Sequence, residues 1–270
     1  MPSALVNGIR LHYDVQGDGD PVVLVMGQGA TGRAWHLHQV PALVAAGHRV
    51  VTFDNRGVPP TDECADGFTV DDLVADTAGL VARLGLGPCR FVGVSMGAYV
   101  VQELMLARPE LVVQGVLLAT RGRTDPLRAA VSAAERALYD SGVALPPGYA
   151  AWVRALENLS PATLDDEQRV QDWLELFTFA PSPTGPGIRA QLELLPPEGR
   201  LAAYRAITSP CLVIGFADDV TLPPRLSREV AEAIPGAVYR EIEDCGHYGY
   251  LERPDEVNRM LLEFFHTARQ

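Results

Sequence analysis

The chain has 270 residues, 47% of them hydrophobic and 21% charged, with a formal net charge of −12. That balance excludes disordered, collagen-like and low-complexity architectures, and gives one large domain or two small ones able to bury a core without staples. The negative charge opposes binding to phosphate backbones and anionic membranes, so neither nucleic acid nor a membrane is an expected partner.

All 22 basic residues are Arg. Without Lys, Schiff-base lysine chemistry and the P-loop lysine are excluded. Cys64, Cys89, Cys211 and Cys245 are scattered, with no zinc-ligand spacing, and read as reduced thiols. The first eight residues lack a basic stretch followed by an apolar one, so no signal peptide is expected. No apolar run nears the ~20 residues of a membrane helix. These features predict a cytoplasmic chain.

The first apolar run, Val22-Val23-Leu24-Val25-Met26, ends at Gly27 and reads as a strand buried on both faces. A second, Val50-Val51-Thr52-Phe53, ends at Asp54. Val70, Leu73, Val74, Thr77, Leu80, Val81 and Leu84 then repeat at helical spacing, and Thr69 with Asp72 resembles a capping box. Phe91-Val92-Gly93-Val94 is a third strand, running into Ser95, and a helix is expected from Tyr99 to Ala107. Further strands are read at 112–118, 211–214 and, more weakly, 237–242. Val257, Met260, Leu261, Phe264 and Phe265 form a last helical stripe, with Pro254 suited to its first turn. Strands alternating with helices predict an α/β fold with a parallel sheet covered on both faces.

One stretch breaks the alternation. Residues 121–209 contain no convincing strand and hold nine of the 21 prolines. Helical patches are expected around 126–140, 148–158, 165–178 and 187–205. The stretch reads as a helical insertion, a cap, dividing a core of residues 1–120 and 210–270. Its aromatics, Tyr139, Tyr149, Trp152, Trp173, Phe177, Phe179 and Tyr204, either form a small core or line a pocket beneath a lid.

Gly93-Val94-Ser95-Met96-Gly97 matches G-x-S-x-G between a strand and a helix. The glycines permit a sharp turn that lifts the serine hydroxyl clear of the sheet. A serine needs a base, and the base an orienting carboxylate, in the order Ser, acid, His. His247 in Asp244-Cys245-Gly246-His247 occupies the required place. His12, His36, His38 and His48 precede Ser95, and His266 lies in the terminal helix. Counting back from Pro223 favours Asp219 as the acid, and counting from Gly215 favours Asp218. Asp219 is chosen, with Asp218 as the alternative.

These residues resemble the α/β-hydrolase family, over nearly the whole chain. The resemblance implies a mostly parallel sheet, a nucleophile elbow and a helical cap. Met26-Gly27-Gln28-Gly29 is similar to the family's His-Gly-x loop, with Met26 where His is usual. That implies an oxyanion hole from the backbone N–H groups of Gln28 and Met96. Asp54-Asn55-Arg56-Gly57 resembles the family's D-x-R-G turn, with Arg56 as a structural ion-pair residue.

A rival reading takes Gly27-Gln28-Gly29-Ala30-Thr31-Gly32 as a dinucleotide fingerprint with Asp54 on a ribose. It leaves Ser95 and His247 without a role, and Pro41 interrupts the helix that should follow.

A serine at the elbow points to acyl transfer, since epoxide-opening and dehalogenating members carry Asp there. The expected activity is hydrolysis of a small ester, thioester or lactone with an apolar acyl part, needing neither metal nor organic cofactor. The partner is then a small-molecule substrate. Alternatives on the same triad are a cofactor-free, haloperoxidase-like perhydrolase and a carbon–carbon bond hydrolase. A ligand-binding module without catalysis is the competing class.

Overall fold

The computed structural model describes residues 2–180 and 184–267. Eight strands form one sheet: β1 (Ser3–Val6), β2 (Ile9–Gln16), β3 (Asp20–Val25), β4 (His48–Phe53), β5 (Cys89–Val94), β6 (Val112–Leu118), β7 (Cys211–Phe216) and β8 (Val238–Ile242). Their spatial order is β1-β2-β4-β3-β5-β6-β7-β8. From β4 to β8 every neighbouring pair is parallel. β1 and β2 pair antiparallel, and β2 continues antiparallel onto β4.

The continuous apolar runs are strands with both faces covered. Val23 and Val25 of β3 point into one core with Phe53 and Phe91, while Val22 and Leu24 point into the other with Val92 and Val94. The helices are α1 (Gln39–Ala45), α2 (Val70–Arg83), α3 (Met96–Ala107), α4 (Pro126–Ser141), α5 (Pro147–Asn158), α6 (Pro161–Leu164), α7 (Glu167–Phe179), α8 (Pro186–Gln191), α9 (Arg200–Ala203), α10 (Pro224–Ala233), α11 (Gly249–Glu252) and α12 (Pro254–Thr267). Residues of α2, α3 and α10 fill the first core, and residues of α1 and α12 fill the second. Thr69 and Asp72 do form the capping box that starts α2.

β1 and β2 are absent from the sequence reading. They lie at the sheet's edge, where β1 buries every second residue and β2 buries only Ile9 and Leu11, so they carry no continuous apolar run. Their turn is Asn7-Gly8, both at positive φ (43° and 78°), as a tight hairpin requires. That dipeptide is the signal by which a sequence reading finds them.

Between β6 and β7 the described residues are helical or irregular, with no strand. Three of the four expected helical patches match α4, α5 and α7. The fourth, 187–205, is not one helix: α8 ends at Gln191 and α9 begins at Arg200. Pro196 and Pro197 lack N–H groups and disfavour helix in the residue before them.

The aromatics of this insertion divide. Trp173 and Phe177 pack with Tyr248 around a small cluster of Ala151, Ala155 and Leu159. Tyr204 is buried in the first core. Tyr149, Trp152 and Phe179 face outward and are exposed. Among the described residues no helix is long and apolar enough to cross a membrane.

Candidate active site

Ser95 sits between the last residue of β5 and the first of α3, at φ 56° and ψ −119°. Positive φ is strained for a residue with a Cβ, and the fold holds it from both sides. The Ser95 N–H donates to the Leu118 carbonyl on β6 at 2.9 Å, and its carbonyl accepts the Tyr99 N–H at 3.1 Å. Every residue from 89 to 105 is buried except Ser95. The two glycines of the pentapeptide follow from crowding. A Cβ on Gly93 would overlap the Gly97 carbonyl, and one on Gly97 would overlap the Val25 carbonyl of β3.

His247 follows β8, and Asp219 follows β7. Both stand at the carboxyl end of the sheet, as Ser95 does. His247 Nδ1 lies 2.7 Å from Asp219 Oδ2, and the Asp219 side chain is fully buried. Asp219 Oδ1 accepts the Leu222 N–H at 2.7 Å, which fixes the carboxylate plane. A carboxylate oxygen is an acceptor, so Nδ1 is the nitrogen that carries the hydrogen, and in the neutral ring Nε2 is then the atom with the lone pair. Asp218 is half-exposed, and its N–H donates to the Cys245 carbonyl at 3.1 Å. Of the two adjacent acids, Asp219 is the one that reaches the imidazole.

The glycine loop after β3 lies against the serine. A Cβ on Gly27 would stand 3.4 Å from Ser95 Cβ, in ordinary contact. Asn55 Nδ2 holds the Met26 carbonyl at 2.8 Å. Met26 is buried in the second core, so the residue in place of the usual His is part of the packing. Gln28 follows Gly27 directly. Met96 is the first residue of α3, where N–H groups have no carbonyl one turn earlier to bond. The serine is thus flanked by the two backbone segments expected to supply an oxyanion hole.

The dinucleotide reading has no footing in this loop. Gly32 opens a 3₁₀ turn (Gly32–Leu37), and α1 starts only at Gln39 with Pro41 in its first turn. Asp54 is also occupied: Oδ1 accepts the Gly32 N–H at 2.8 Å, and Oδ2 lies 3.2 Å from His12 Nδ1. Burial raises the Asp54 carboxyl above its ordinary value, although both partners pull it back. Arg56 is the expected structural residue. It grips Asp76 of α2 through Nη2 at 2.6 Å and Nε at 2.8 Å, and donates to the Asn7 carbonyl at 3.2 Å.

The insertion is fastened to this site by residues the sequence did not mark. Gln191, at the end of α8, accepts the Gly29 N–H at 2.8 Å and donates to the Arg56 carbonyl at 2.9 Å. Glu252 of α11 accepts from the Ser160 N–H and hydroxyl with Oε1, at 3.0 and 2.9 Å, and from the Gly246 N–H with Oε2 at 2.7 Å. The Tyr248 N–H donates to the Asn158 carbonyl at 2.9 Å. Arg154 stacks 4.3 Å over the Phe177 ring and donates to the Tyr248 hydroxyl at 3.2 Å.

A sequence profile of the alpha/beta hydrolase family matches residues 22–260. The chain belongs to the alpha/beta hydrolase family. It is 54% identical over 261 residues to a Mycobacterium tuberculosis H37Rv protein named "Putative non-heme bromoperoxidase BpoC", covering 97% of this chain and 99% of that one. The crystal structure of that relative superposes with a TM-score of 0.93 over 96% of each chain. A Variovorax paradoxus (strain S110) protein named "Putative carbamate hydrolase RutD" is 30% identical, covering 94% of this chain and 95% of its own. The enol-lactonase of Burkholderia xenovorans LB400 is 26% identical with a TM-score of 0.78, covering 98% of this chain and all of that one.

Proposed function

We propose that the chain is a serine hydrolase acting on a small ester, thioester or lactone through an acyl-enzyme on Ser95. One observation carries this reading. A partly exposed serine at positive φ ends a buried strand, at the same end of the sheet as an imidazole bonded to a buried carboxylate. His247 Nε2 takes the Ser95 proton as Oγ attacks the scissile carbonyl. The Gln28 and Met96 N–H groups hold the oxyanion. His247 returns the proton to the leaving group, and the acyl group stays on Ser95. His247 then deprotonates a water, which attacks the acyl-enzyme and releases the acid. Asp219 keeps the proton on Nδ1 and stabilises the imidazolium.

Residues 121–209 act as the cap over this site, tied down through Gln191, Ser160 and Asn158. The aromatic content of the cap, the sequence's argument for an apolar acyl part, goes largely to packing and to the outer surface.

The name of the 54%-identical relative favours a second reading, perhydrolysis. The same serine is acylated by a carboxylic acid with loss of water. Hydrogen peroxide then takes the place of water in the second half-reaction and leaves as a peracid, which oxidises bromide.

A fluorophosphonate probe followed by mass spectrometry tests the shared core of both readings. Labelling at Ser95 is expected, with none in Ser95→Ala. A folded wild-type protein that stays unlabelled would reject the activated serine and favour a ligand-binding module. Ester, thioester and lactone panels, run beside acetate, peroxide and bromide, then separate hydrolysis from perhydrolysis.

A further inference from the structure

Asp219 holds the His247 ring, and a second carboxylate holds the chain that carries it. Glu252 is buried, with 7% of its surface exposed. Its Oε2 accepts the Gly246 N–H at 2.7 Å, one residue before His247. Its own N–H donates to the Tyr248 carbonyl at 2.9 Å, one residue after. Residue 252 therefore grips the chain on both sides of the base. The other carboxylate oxygen, Oε1, accepts the N–H and the hydroxyl of Ser160, at 3.0 and 2.9 Å.

The loop has little room to shift. A Cβ on Gly246 would come within 2.7 Å of the Asn158 carbonyl oxygen and 2.8 Å of the Leu159 carbonyl carbon, so the loop lies directly on the backbone at the end of α5. The Tyr248 N–H donates to that same Asn158 carbonyl at 2.9 Å.

The donors explain why residue 252 is a carboxylate. Both backbone groups that face it, on Gly246 and Ser160, are N–H donors. A carboxylate gives each an acceptor oxygen, whereas a carboxamide gives one and turns its NH2 on the other. Arg253, next in the chain, pairs with Asp244 at 3.3 Å. Burying a carboxylate costs free energy that an apolar contact would not, and the return is short, strong, directional hydrogen bonds. The shortest of the three is the one to Gly246, beside the base.

We propose that Glu252 is a positioning residue for the catalytic base. Through the Gly246 N–H its carboxylate sets the backbone of His247, so that the imidazole meets Asp219 with Nδ1 and presents Nε2 to the nucleophile. This rests on the reading of Ser95 and His247 as nucleophile and base.

The test follows two quantities. One is the rate constant for fluorophosphonate labelling of Ser95. The other is the proton NMR signal of the His247 Nδ1–H, the far-downfield resonance that disappears in His247→Ala. Glu252→Gln is expected to label about tenfold to a hundredfold more slowly, since a displacement of about 1 Å at a reacting group costs about that much. Its Nδ1 signal should shift upfield or broaden. Ser160→Ala removes only the hydroxyl bond and keeps the Gly246 contact. It should lower the melting temperature, yet label within about twofold of wild type with the Nδ1 signal in place. Should Glu252→Gln not fold, Glu252→Asp replaces it in both measurements, its carboxylate being one methylene short of spanning Ser160 and Gly246.

A folded Glu252→Gln or Glu252→Asp protein that labels within about twofold of wild type, or whose Nδ1 signal is unmoved, would overturn the proposal. So would a Ser160→Ala protein slowed as much as Glu252→Gln, because the cap attachment as a whole, and not the Gly246 contact, would then be responsible. If wild type is not labelled the hydrolase reading fails, and the Nδ1 signal still decides whether Glu252 places the imidazole.

Discussion

Gln191 and Gly29 are 162 residues apart and share a 2.8 Å hydrogen bond from the Gly29 N–H to the Gln191 carboxamide oxygen. The other end of the same carboxamide donates to the Arg56 carbonyl at 2.9 Å. One buried side chain of the insertion thus joins the glycine loop beside Ser95 to the turn after β4. Around it there is no slack: a Cβ on Gly57 would come within 2.7 Å of the Gly187 carbonyl in α8.

Gln191→Leu strands the Gly29 N–H and frees the loop that carries Gln28. Kcat is expected to fall about tenfold to a hundredfold with KM little changed, and stability by about 1–3 kcal/mol. Steady-state kinetics on the best ester and urea unfolding measure both. A variant that loses stability but keeps kcat would reduce Gln191 to a packing role.

Asp219→Asn keeps the size of the side chain but no longer selects the tautomer with Nδ1 protonated. Its kcat should drop by about four orders of magnitude, whereas Asp218→Asn should stay within about twofold of wild type. Comparable losses in the two variants would contradict the assignment of Asp219 as the acid.

Gly97→Ala places a methyl group against the Val25 carbonyl of the central strand, where backbone and not a flexible side chain must give way. The expected loss is about 3 kcal/mol or more, read from chemical denaturation. A substitution costing less than about 1 kcal/mol would show that β3 and α3 can separate locally.

The capping box of α2 has a definite pH signature. The Thr69 N–H donates to Asp72 Oδ2 at 2.8 Å and holds that carboxyl below its ordinary value of 3.8. A folded value below the unfolded one adds stability above 3.8, and that stability is lost as pH falls through the depressed folded value. Asp72→Asn should cost about 1 kcal/mol at neutral pH, with the difference from wild type closing in acid. Unfolding curves at both pH values measure the gap, and a gap independent of pH would mean that the carboxylate's charge contributes nothing.

Much of the fold was legible because it depends on neighbours in sequence. The buried strands announce themselves as apolar runs, and Thr69 and Asp72 are three residues apart. The elbow is a pentapeptide whose glycines are required by contacts within that turn and with β3. Reading was poorer where the pattern is weak or interrupted. At the sheet's edge β1 buries every second residue and β2 only Ile9 and Leu11, and Pro196 and Pro197 break what the apolar spacing between 187 and 205 suggests is one helix.

The choice between Asp218 and Asp219 marks where linear reading stops. Both follow β7, both are the right residue type, and counting arguments support each. The carboxylate orientation is decided by the Leu222 N–H on one side and His247 on the other, a contact across 28 residues. Gln191 and Glu252 carried no mark at all, because the Gly29 that Gln191 holds and the Ser160 that Glu252 holds stand 162 and 92 residues away and become neighbours only in the folded chain. The chain order of Ser95, acid and His247, the elbow and the alternating strands and helices follow from residue type and short spacing. Which polar atoms meet beside the serine follows from packing, since buried hydrogen-bonding groups take whatever partner the tertiary structure brings within reach.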